Sequence, residues 1–201
     1  MSRFMAGIYD WFMRDAEQAC LQEWRHELLA GLSGEVIDVG AGTGANVIHY
    51  PSAVTGVMLA EPDPFMRAKL VPRVTSRCAV IDAPVERLPF DAGRFDAVVC
   101  TLVLCSVADQ GVALREMHRV LRPGGRLVFL EHVASRERGR YLLQRGLDPL
   151  WQRIAGNCHL TRDTGAAIRA AGFVVEEERH ESMRKAMPQV RPSIRGTAVV
   201  T

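Results

Sequence analysis

The sequence predicts an α/β fold, an open and mostly parallel sheet with helices on both faces, from two observations. Short apolar segments alternate five times with segments of helical spacing, and this alternation is typical of sheets built from parallel strands. The segment "RFDAVVCTLVL" (94–104) is nearly continuously apolar from Ala97 onward, as expected for a central strand that is covered on both faces.

The individual elements follow from the hydrophobic spacing. Apolar residues recur at helical intervals through residues 3–30, which predicts one or two helices that end at Gly31. The first five strands are predicted at 35–39, 53–61, 74–82, 94–104 and 126–133. Helices are predicted after Gly44, from Pro62 onward, at 110–121, at 140–148 with a break or kink at Pro149, and from a Thr161 cap to Gly172. Two final strands are predicted at 173–181 and 193–201.

Length and composition limit the classes of protein. The 201 residues, 48% apolar and 24% charged, fit a single domain with a full core. The net charge of +2 and the scattered arginines give no reason to expect a nucleic-acid partner. The longest nearly continuous apolar stretch, 97–108, is shorter than the roughly 20 residues of a membrane-spanning helix. We therefore expect no membrane span, and peripheral association is the one form of membrane contact that stays open.

The N-terminus and the cysteines favour a cytoplasmic protein. The first residues lack an apolar core followed by a cleavage site, so no signal peptide is expected. The five cysteines are odd in number and form no Cys-x-x-Cys pair. Cys78 and Cys100 are expected to be small buried residues in a reducing compartment, whereas Cys105 and Cys158 fall in predicted loops. No ligand pair has suitable spacing, so no metal site is expected.

A glycine-rich turn, "VIDVGAGTGAN" (36–46), follows the first predicted strand and indicates a close approach of backbone to a ligand. A phosphate loop is excluded because no Gly-Lys-Ser/Thr follows. The loose dinucleotide fingerprint is satisfied, but the carboxylate of Asp38 would then share a helix N-terminus with a pyrophosphate. Asp38 suits a ligand with an ammonium group instead, and Glu61, at the end of the second strand, can accept hydrogen bonds from two ribose hydroxyls.

Five segments in this order resemble the class I S-adenosylmethionine-dependent methyltransferases: "DVGAGTG", Glu61, "ERLPF", "FDAVV" and "LRPGG". The resemblance covers roughly residues 35–133. It implies a Rossmann-like sheet of seven strands, with one antiparallel strand near its edge, and S-adenosylmethionine as cofactor, released as S-adenosylhomocysteine. It also implies one domain in three parts: an N-terminal helical lid (1–33), a cofactor-binding core (34–133), and substrate-side helices with the last two strands (134–201).

The resemblance assigns cofactor contacts to particular positions of this sequence. Asp38 would take the ammonium group, Glu61 the ribose, and the Val85 N–H the adenine, while the methyl group would emerge near Thr101 and Leu102. The full expected set is Asp38, Gly40, Gly42, Gly44, Glu61, Pro62, Val85, Glu86, Thr101 and Leu102.

The segments "VVCTLVLCSV" (98–107), "LEHV" (130–133) and "PLWQRIAGNCHLTRDT" (149–164) are similar to the membrane-bound alkyl thiol methyltransferases and their bacterial relatives. The hydrophobic N-terminal anchor of that group is not expected here. "YDWFM" (9–13) resembles the lid of quinone-type and other small-molecule methyltransferases.

These resemblances suggest methyl transfer to a small, fairly apolar acceptor, with a thiol among the candidates. Oxygen, nitrogen or carbon acceptors, such as a phospholipid head group or a quinone precursor, stay open. So do a noncatalytic cofactor-binding module and a nicotinamide-dependent oxidoreductase. A thiol needs little activation, whereas an oxygen or carbon acceptor needs a general base. The candidate bases are His132, Tyr9 and His159, each of which equally fits a structural role.

Overall fold

The computed structural model describes residues 3–201, with side chains from Ala6 onward, and shows one sheet of seven strands. The strands are β1 (Gly34–Val39), β2 (Val54–Ala60), β3 (Cys78–Ile81), β4 (Phe95–Thr101), β5 (Leu121–His132), β6 (Val174–Ser182) and β7 (Pro192–Val199). Their order in the sheet is β3-β2-β1-β4-β5-β7-β6. Strand β7 is antiparallel to both of its neighbours, and the other pairings are parallel. The predicted mostly parallel sheet, with one antiparallel strand next to its edge, is confirmed.

Helices cover both faces of this sheet. They are α1 (Arg3–Ala16), α2 (Gln22–Leu29), α3 (Pro64–Leu70), α4 (Gln110–Val120), α5 (Arg138–Ile154) and α6 (Thr164–Ala170). A π-helical turn, Glu17–Leu21, joins α1 to α2. Successive residues of β1 point to opposite faces: Val36 packs in a cluster with Leu29 of α2 and Leu70 of α3, whereas Ile37 packs in a cluster with Leu114 of α4.

The strand order reverses between β1 and β4. Strand β1 pairs with β2 on one side and with β4 on the other, so Asp38 lies opposite both Leu59 and Val99. In open sheets of this type, ligands bind beyond the carboxyl ends of the strands at this reversal. The glycine turn directly follows β1 and therefore lies at this place.

The prediction of a helix after Gly44 was wrong, since the segment forms only a short 3₁₀ turn, Val47–His49. Two features of the sequence disfavour a longer helix here. Val47 and Ile48 are β-branched, which lowers helix propensity, and Pro51 disfavours helical backbone at Tyr50. Tyr50 accordingly adopts an extended conformation with ψ 123°.

The fourth strand ends at Thr101 and not at residue 104 as predicted. Leu102 has φ 60°, in the left-handed region, and this turns the chain out of the sheet. The next segment, residues 102–108, forms a loop at the carboxyl edge. Leu104, Cys105 and Val107 are buried although they lie in a loop, and hydrophobic spacing alone does not distinguish such a loop from a strand.

Two predicted helix boundaries were also wrong. Helix α5 is not broken at Pro149 but runs on to Ile154. The Asp148 carboxylate helps to fix this stretch, because it accepts hydrogen bonds from Gln152 within the helix and from the Leu160 N–H beyond it. The N-cap of α6 is Asp163, which accepts from the Ala166 N–H, and not Thr161.

Within residues 3–201, no helix has the length and apolar character needed to cross a membrane.

Candidate active site

Asp38, near the carboxyl end of β1, has one carboxylate oxygen without a partner. Its Oδ2 accepts hydrogen bonds from Asn46 Nδ2 at 3.0 Å and from the Tyr50 hydroxyl at 2.7 Å. Its Oδ1 is buried and has no hydrogen-bond partner among the described residues. Burial raises the pKa of Asp38 to about 6, although the hydrogen bonds from Asn46 and Tyr50 oppose this shift. A buried carboxylate with an unpartnered oxygen is suited to bind a cationic group.

Glu61 directly follows β2 and fixes the glycine turn against it. Its Oε2 accepts from the Gly42 N–H and its Oε1 from the Asp63 N–H, each at 2.8 Å. Burial raises the pKa of Glu61, and these two N–H groups oppose the shift. Each carboxylate oxygen can accept a further hydrogen bond, so Glu61 still has capacity for two hydroxyl donors.

All three glycines of the turn have positive φ, but the structural reason for glycine differs among the positions. A Cβ on Gly40 would lie 2.6 Å from the Val103 side chain, and one on Gly44 would lie 2.8 Å from Leu70. A Cβ on Gly42 would meet nothing nearer than the Met66 Cε at 3.7 Å. Gly40 and Gly44 are therefore required by packing within the protein, whereas Gly42 borders open space in which a ligand can approach the backbone.

The buried residue Arg25, from α2, reaches this edge of the sheet and was missed from the sequence. Its Nη1 donates to Asn46 Oδ1 at 2.7 Å and to Thr101 Oγ1 at 2.8 Å, while Glu17 pairs with it at 3.0 Å. Asn46 also donates to Asp38, so a continuous polar network joins α2 to the end of β1. An arginine on the otherwise apolar face of the N-terminal helices was the only signal that the sequence offered.

Helix α1 contacts the glycine turn through Asp10. The Asp10 carboxylate accepts hydrogen bonds from Thr43 Oγ1 at 2.7 Å and from Arg73 at 2.8 Å. Tyr9, the preceding residue, was a candidate base. Burial raises its pKa to about 12, so its hydroxyl stays protonated at neutral pH and can act only as a hydrogen-bonding group there.

The remaining expected cofactor residues surround the same edge. Val85 is buried, Leu102 is half-buried and Pro62 is exposed. Glu86 is half-buried and accepts a hydrogen bond from the Ala108 N–H at 3.2 Å, which links the segment after β3 to the loop after β4.

His132, at the end of β5, lies close to the sulfur atoms of Cys105 and Cys158. Its Nε2 is 2.7 Å from the Cys158 Sγ, and Cys105 completes a group whose potential ligand atoms all lie within 4.8 Å of one another. The hydrogen bond with Cys105, together with those from His132 and Trp151, lowers the pKa of Cys158. Burial alone would lower the pKa of His132, but the hydrogen bond with Cys158 raises it.

His159, the third candidate base, takes part in this arrangement through its backbone. Its N–H donates to the Cys105 carbonyl at 2.7 Å, and burial lowers the pKa of its side chain. Sequence spacing gave no indication of the Cys105, His132 and Cys158 group, because the three residues come from segments that are 26 or more positions apart.

Comparison with known proteins decides the family. Residues 37–129 match the family model described as a methyltransferase domain. The chain is 38% identical to the human thiol S-methyltransferase TMT1A over 179 residues, which is 85% of this chain and 73% of that protein. It is 40% identical to the thiol S-methyltransferase TMT1B of Rattus norvegicus over 181 residues, with the same coverage. The chain belongs to the class I S-adenosylmethionine-dependent methyltransferases.

Solved structures of this fold agree. An S-adenosylmethionine-dependent methyltransferase from Thermotoga maritima superposes with a TM-score of 0.72 at 19% identity, covering 99% of this chain and 97% of that one. Another, from Mesorhizobium loti, gives 0.65 at 22% identity, covering 92% and 97%. At such identities these structures show the fold alone.

The protein is therefore a small-molecule methyltransferase with S-adenosylmethionine as its cofactor, and its residues fit that group. The unpartnered Asp38 Oδ1 offers an acceptor for an ammonium group, and the open space at Gly42 allows a ligand to lie against the backbone. Glu61 offers acceptors for hydroxyl groups.

Proposed function

We propose that this protein methylates the sulfur of a small, fairly apolar thiol. The observation that supports this most is the extent of similarity. The thiol S-methyltransferases match over 85% of the chain, at 38–40% identity. The demethylmenaquinone methyltransferase of Mycolicibacterium gilvum matches over 53% of the chain, at 36% identity. The greater extent with the thiol enzymes reaches beyond the common cofactor half.

For the cofactor, we propose contacts along the carboxyl ends of β1 to β4. Asp38 binds the ammonium group through its unpartnered oxygen, and Glu61 binds the ribose hydroxyls. Gly42 lets the backbone approach the ligand, supported by the packing of Gly40 and Gly44 around it. Pro62, Val85 and Glu86 border the adenine side, and Thr101 and Leu102 border the methyl group.

Arg25 is proposed to bind the carboxylate of the cofactor's methionine part. A guanidinium group has five N–H donors, and four hydrogen bonds to Glu17, Asn46 and Thr101 use four of them. One donor remains, beside the Asp38 site, while the Glu17 carboxylate pairs with the guanidinium charge. The Asp38 carboxylate and this N–H donor would thus orient both ends of an amino-acid group.

The chemistry of the site also favours a thiol. S-adenosylmethionine supplies an activated methyl group when it is bound. The protein must position the acceptor and exclude water, and a hydroxyl acceptor would also need a base to remove its proton. Tyr9 stays protonated and His132 is engaged with Cys158, which leaves His159 as the remaining candidate base. A thiol, with an ordinary pKa of about 8.5, needs little such help.

The test is a panel of matched acceptors, each thiol paired with the alcohol of the same carbon skeleton. Formation of S-adenosylhomocysteine and of the methylated product is followed by mass spectrometry, with Asp38→Asn as the cofactor-site control. We expect methyl thioethers from the apolar thiols and no ethers from the alcohols. Preferred methylation of an alcohol or a quinone precursor would contradict the proposal. Cofactor binding without turnover of any acceptor would favour a noncatalytic module.

A further inference from the structure

Cys105, His132 and Cys158 form a buried group of three side chains, all of types that can act as ligands to soft metals. They come from the loop after β4, the end of β5 and the segment after α5. Their exposed fractions are 2%, 4% and 8%, and their sulfur and nitrogen atoms all lie within 4.8 Å of one another. His132 Nδ1 is buried and has no hydrogen-bond partner within the described part of the chain. This is a convergence of ligands at the edge of the sheet where the cofactor residues also lie.

The backbone around Cys105 is held in place by Glu131. The Glu131 carboxylate is fully buried and accepts from the N–H groups of Val103 at 2.8 Å, Leu104 at 2.9 Å and Cys105 at 3.2 Å. The Arg162 guanidinium holds the same loop by donating to the carbonyl of Leu104 at 2.5 Å. The position of the Cys105 backbone is thus set by hydrogen bonds from two buried or half-buried side chains, Glu131 and Arg162.

Cys158 is brought to Cys105 by separate contacts. The His159 N–H donates to the Cys105 carbonyl at 2.7 Å, and Asn157 Nδ2 donates to the Ser106 carbonyl at 2.9 Å. Asn157 has φ 66°, a conformation that few residues other than glycine adopt, and this turn directs the next residue inward. The Trp151 N–H donates to the Cys158 Sγ at 3.2 Å, as outer hydrogen bonds do at metal-bound thiolates.

The ligand types and their separation fit zinc. Two thiolates and one imidazole are soft or borderline ligands, and three protein ligands with one open position are typical of catalytic zinc sites. Zinc bonds of about 2.3 Å to sulfur and 2.0–2.1 Å to nitrogen place such ligand atoms about 3.5 Å apart in a tetrahedron. His132 Nε2 lies 2.7 Å from Cys158 Sγ, so binding would separate this pair by about 0.8 Å, a small change for a side chain.

We propose that Cys105, His132 and Cys158 bind one zinc ion, whose fourth position takes the sulfur of the acceptor. The part concerning the acceptor rests on the proposed thiol function. Zinc would bind with release to solvent of the thiol proton of Cys105 and of any proton on Cys158. On binding, the acceptor thiol would likewise release its proton to solvent, and its sulfur would donate an electron pair to the metal. The site thereby selects acceptors with sulfur over those with oxygen and holds them near the carboxyl ends of β4 and β5.

The test measures the metal directly and does not depend on activity. Protein purified under reducing, anaerobic conditions is analysed for zinc by mass spectrometry, and the metal-free protein is titrated with Co²⁺. We expect one zinc per chain, and cobalt absorption bands typical of a tetrahedral site with thiolate ligands. Addition of an apolar thiol should shift these bands, and the alcohol of the same skeleton should not. Absence of stoichiometric metal binding would overturn the proposal.

Single variants test the ligand assignment. Cys105→Ser and Cys158→Ser should each weaken Co²⁺ binding by at least about tenfold, the size seen when support of a metal site is lost. Cys78→Ser, in β3 and outside the group, should leave it unchanged. Should either ligand variant fail to fold, the cobalt titration of the parent protein still decides the question. Equal metal binding in all three variants would refute the assignment.

The two proposals fail in different ways. The fourth-position proposal is wrong, and the thiol function stands, if zinc-loaded and metal-free protein methylate thiols equally fast. The same conclusion follows if a thiol that the protein methylates does not shift the cobalt bands. If thiols shift the cobalt bands but are not methylated, the metal proposal holds and the proposed thiol methyl transfer is wrong.

Discussion

The proposed cofactor side and the proposed acceptor side of this site are built in different ways. On the cofactor side, Asp38 and Glu61 stand at the ends of neighbouring strands, and the glycine turn follows one of them directly. On the proposed acceptor side, His132 ends β5, whereas Cys105 and Cys158 come from two loops and are positioned by hydrogen bonds of those loops. A site built on strand ends is visible as a local motif, whereas a site assembled by loops is visible only in the fold. Variants on the two sides should therefore have separable effects.

The largest expected effect is on the cofactor side, at Gly42. We expect Gly42→Val to weaken S-adenosylhomocysteine binding by about 100-fold, because the new side chain would fill the ligand's space. This is about 2.7 kcal/mol, toward the upper end of the about 1–3 kcal/mol that an overpacked contact costs. Isothermal titration calorimetry measures this.

The matched control for Gly42→Val is Gly93→Val, because Gly93 also has positive φ and open space around its Cβ position but lies elsewhere in the chain. Backbone strain is present in both variants, so thermal melting should show comparable losses. If Gly42→Val bound S-adenosylhomocysteine as the parent does, the ligand would not lie against this turn.

Next in size is Glu61→Ala. Removal of this carboxylate leaves two backbone N–H groups without their acceptor and removes the proposed ribose partner. We expect a loss of about 1–3 kcal/mol, which is about 5- to 150-fold in the dissociation constant of S-adenosylhomocysteine. Glu35→Ala, at the opposite end of β1, is the control and should bind normally. Equal dissociation constants for both variants would mean that the ribose lies elsewhere.

The pH dependence of cofactor binding tests Asp38. Its pKa in the ligand-free protein is raised to about 6, so the carboxyl takes up a proton as the pH falls through about 6. An ammonium group binds the ionised form, so affinity should be full above this pH and decline below it, approaching tenfold per pH unit. Calorimetry from pH 5 to about pH 8 measures this profile. Asp38→Asn should bind weakly with little pH dependence, and an unchanged profile in that variant would exclude Asp38 as the group responsible.

The smallest expected effect lies on the acceptor side, at Glu131. Glu131→Gln replaces one acceptor oxygen of the loop that presents Cys105 with an amide donor. We expect the acceptor KM to rise about two- to tenfold, the cost of one lost hydrogen bond, while the dissociation constant of S-adenosylhomocysteine stays unchanged. Steady-state kinetics and calorimetry measure the two quantities. A parallel loss of cofactor affinity would show that the two sides are not separable.

The sequence was informative about residues that directly follow a strand. The order of strands and helices along the chain and the placement of Asp38 and Glu61 at strand ends follow from hydrophobic spacing and short motifs. The antiparallel strand next to the edge was implied by the resemblance to a known family. The ends of two elements were predicted wrongly. The predicted β4 was too long because the apolar loop after Thr101 is partly buried. The predicted α5 was too short because the helix continues beyond Pro149, where Asp148 bonds to Gln152.

The sequence could not reveal contacts between distant segments. Arg25 reaches Asn46 and Thr101 only because α2 packs over the carboxyl edge of the sheet. Cys105 and Cys158 are 53 positions apart and meet through backbone hydrogen bonds that no spacing rule describes. Such proximity depends on the tertiary packing of loops, which local propensity does not determine.

The central claim is that sulfur is the atom methylated. The most direct measurement is a competition in one reaction, with S-adenosylmethionine that carries an isotope-labelled methyl group and an equimolar mixture of an apolar thiol and the alcohol of the same skeleton. Mass spectrometry then identifies the labelled product. We predict that the label appears in the methyl thioether and not in the ether. Label in the ether, or in neither acceptor while S-adenosylhomocysteine binds normally, would contradict the account.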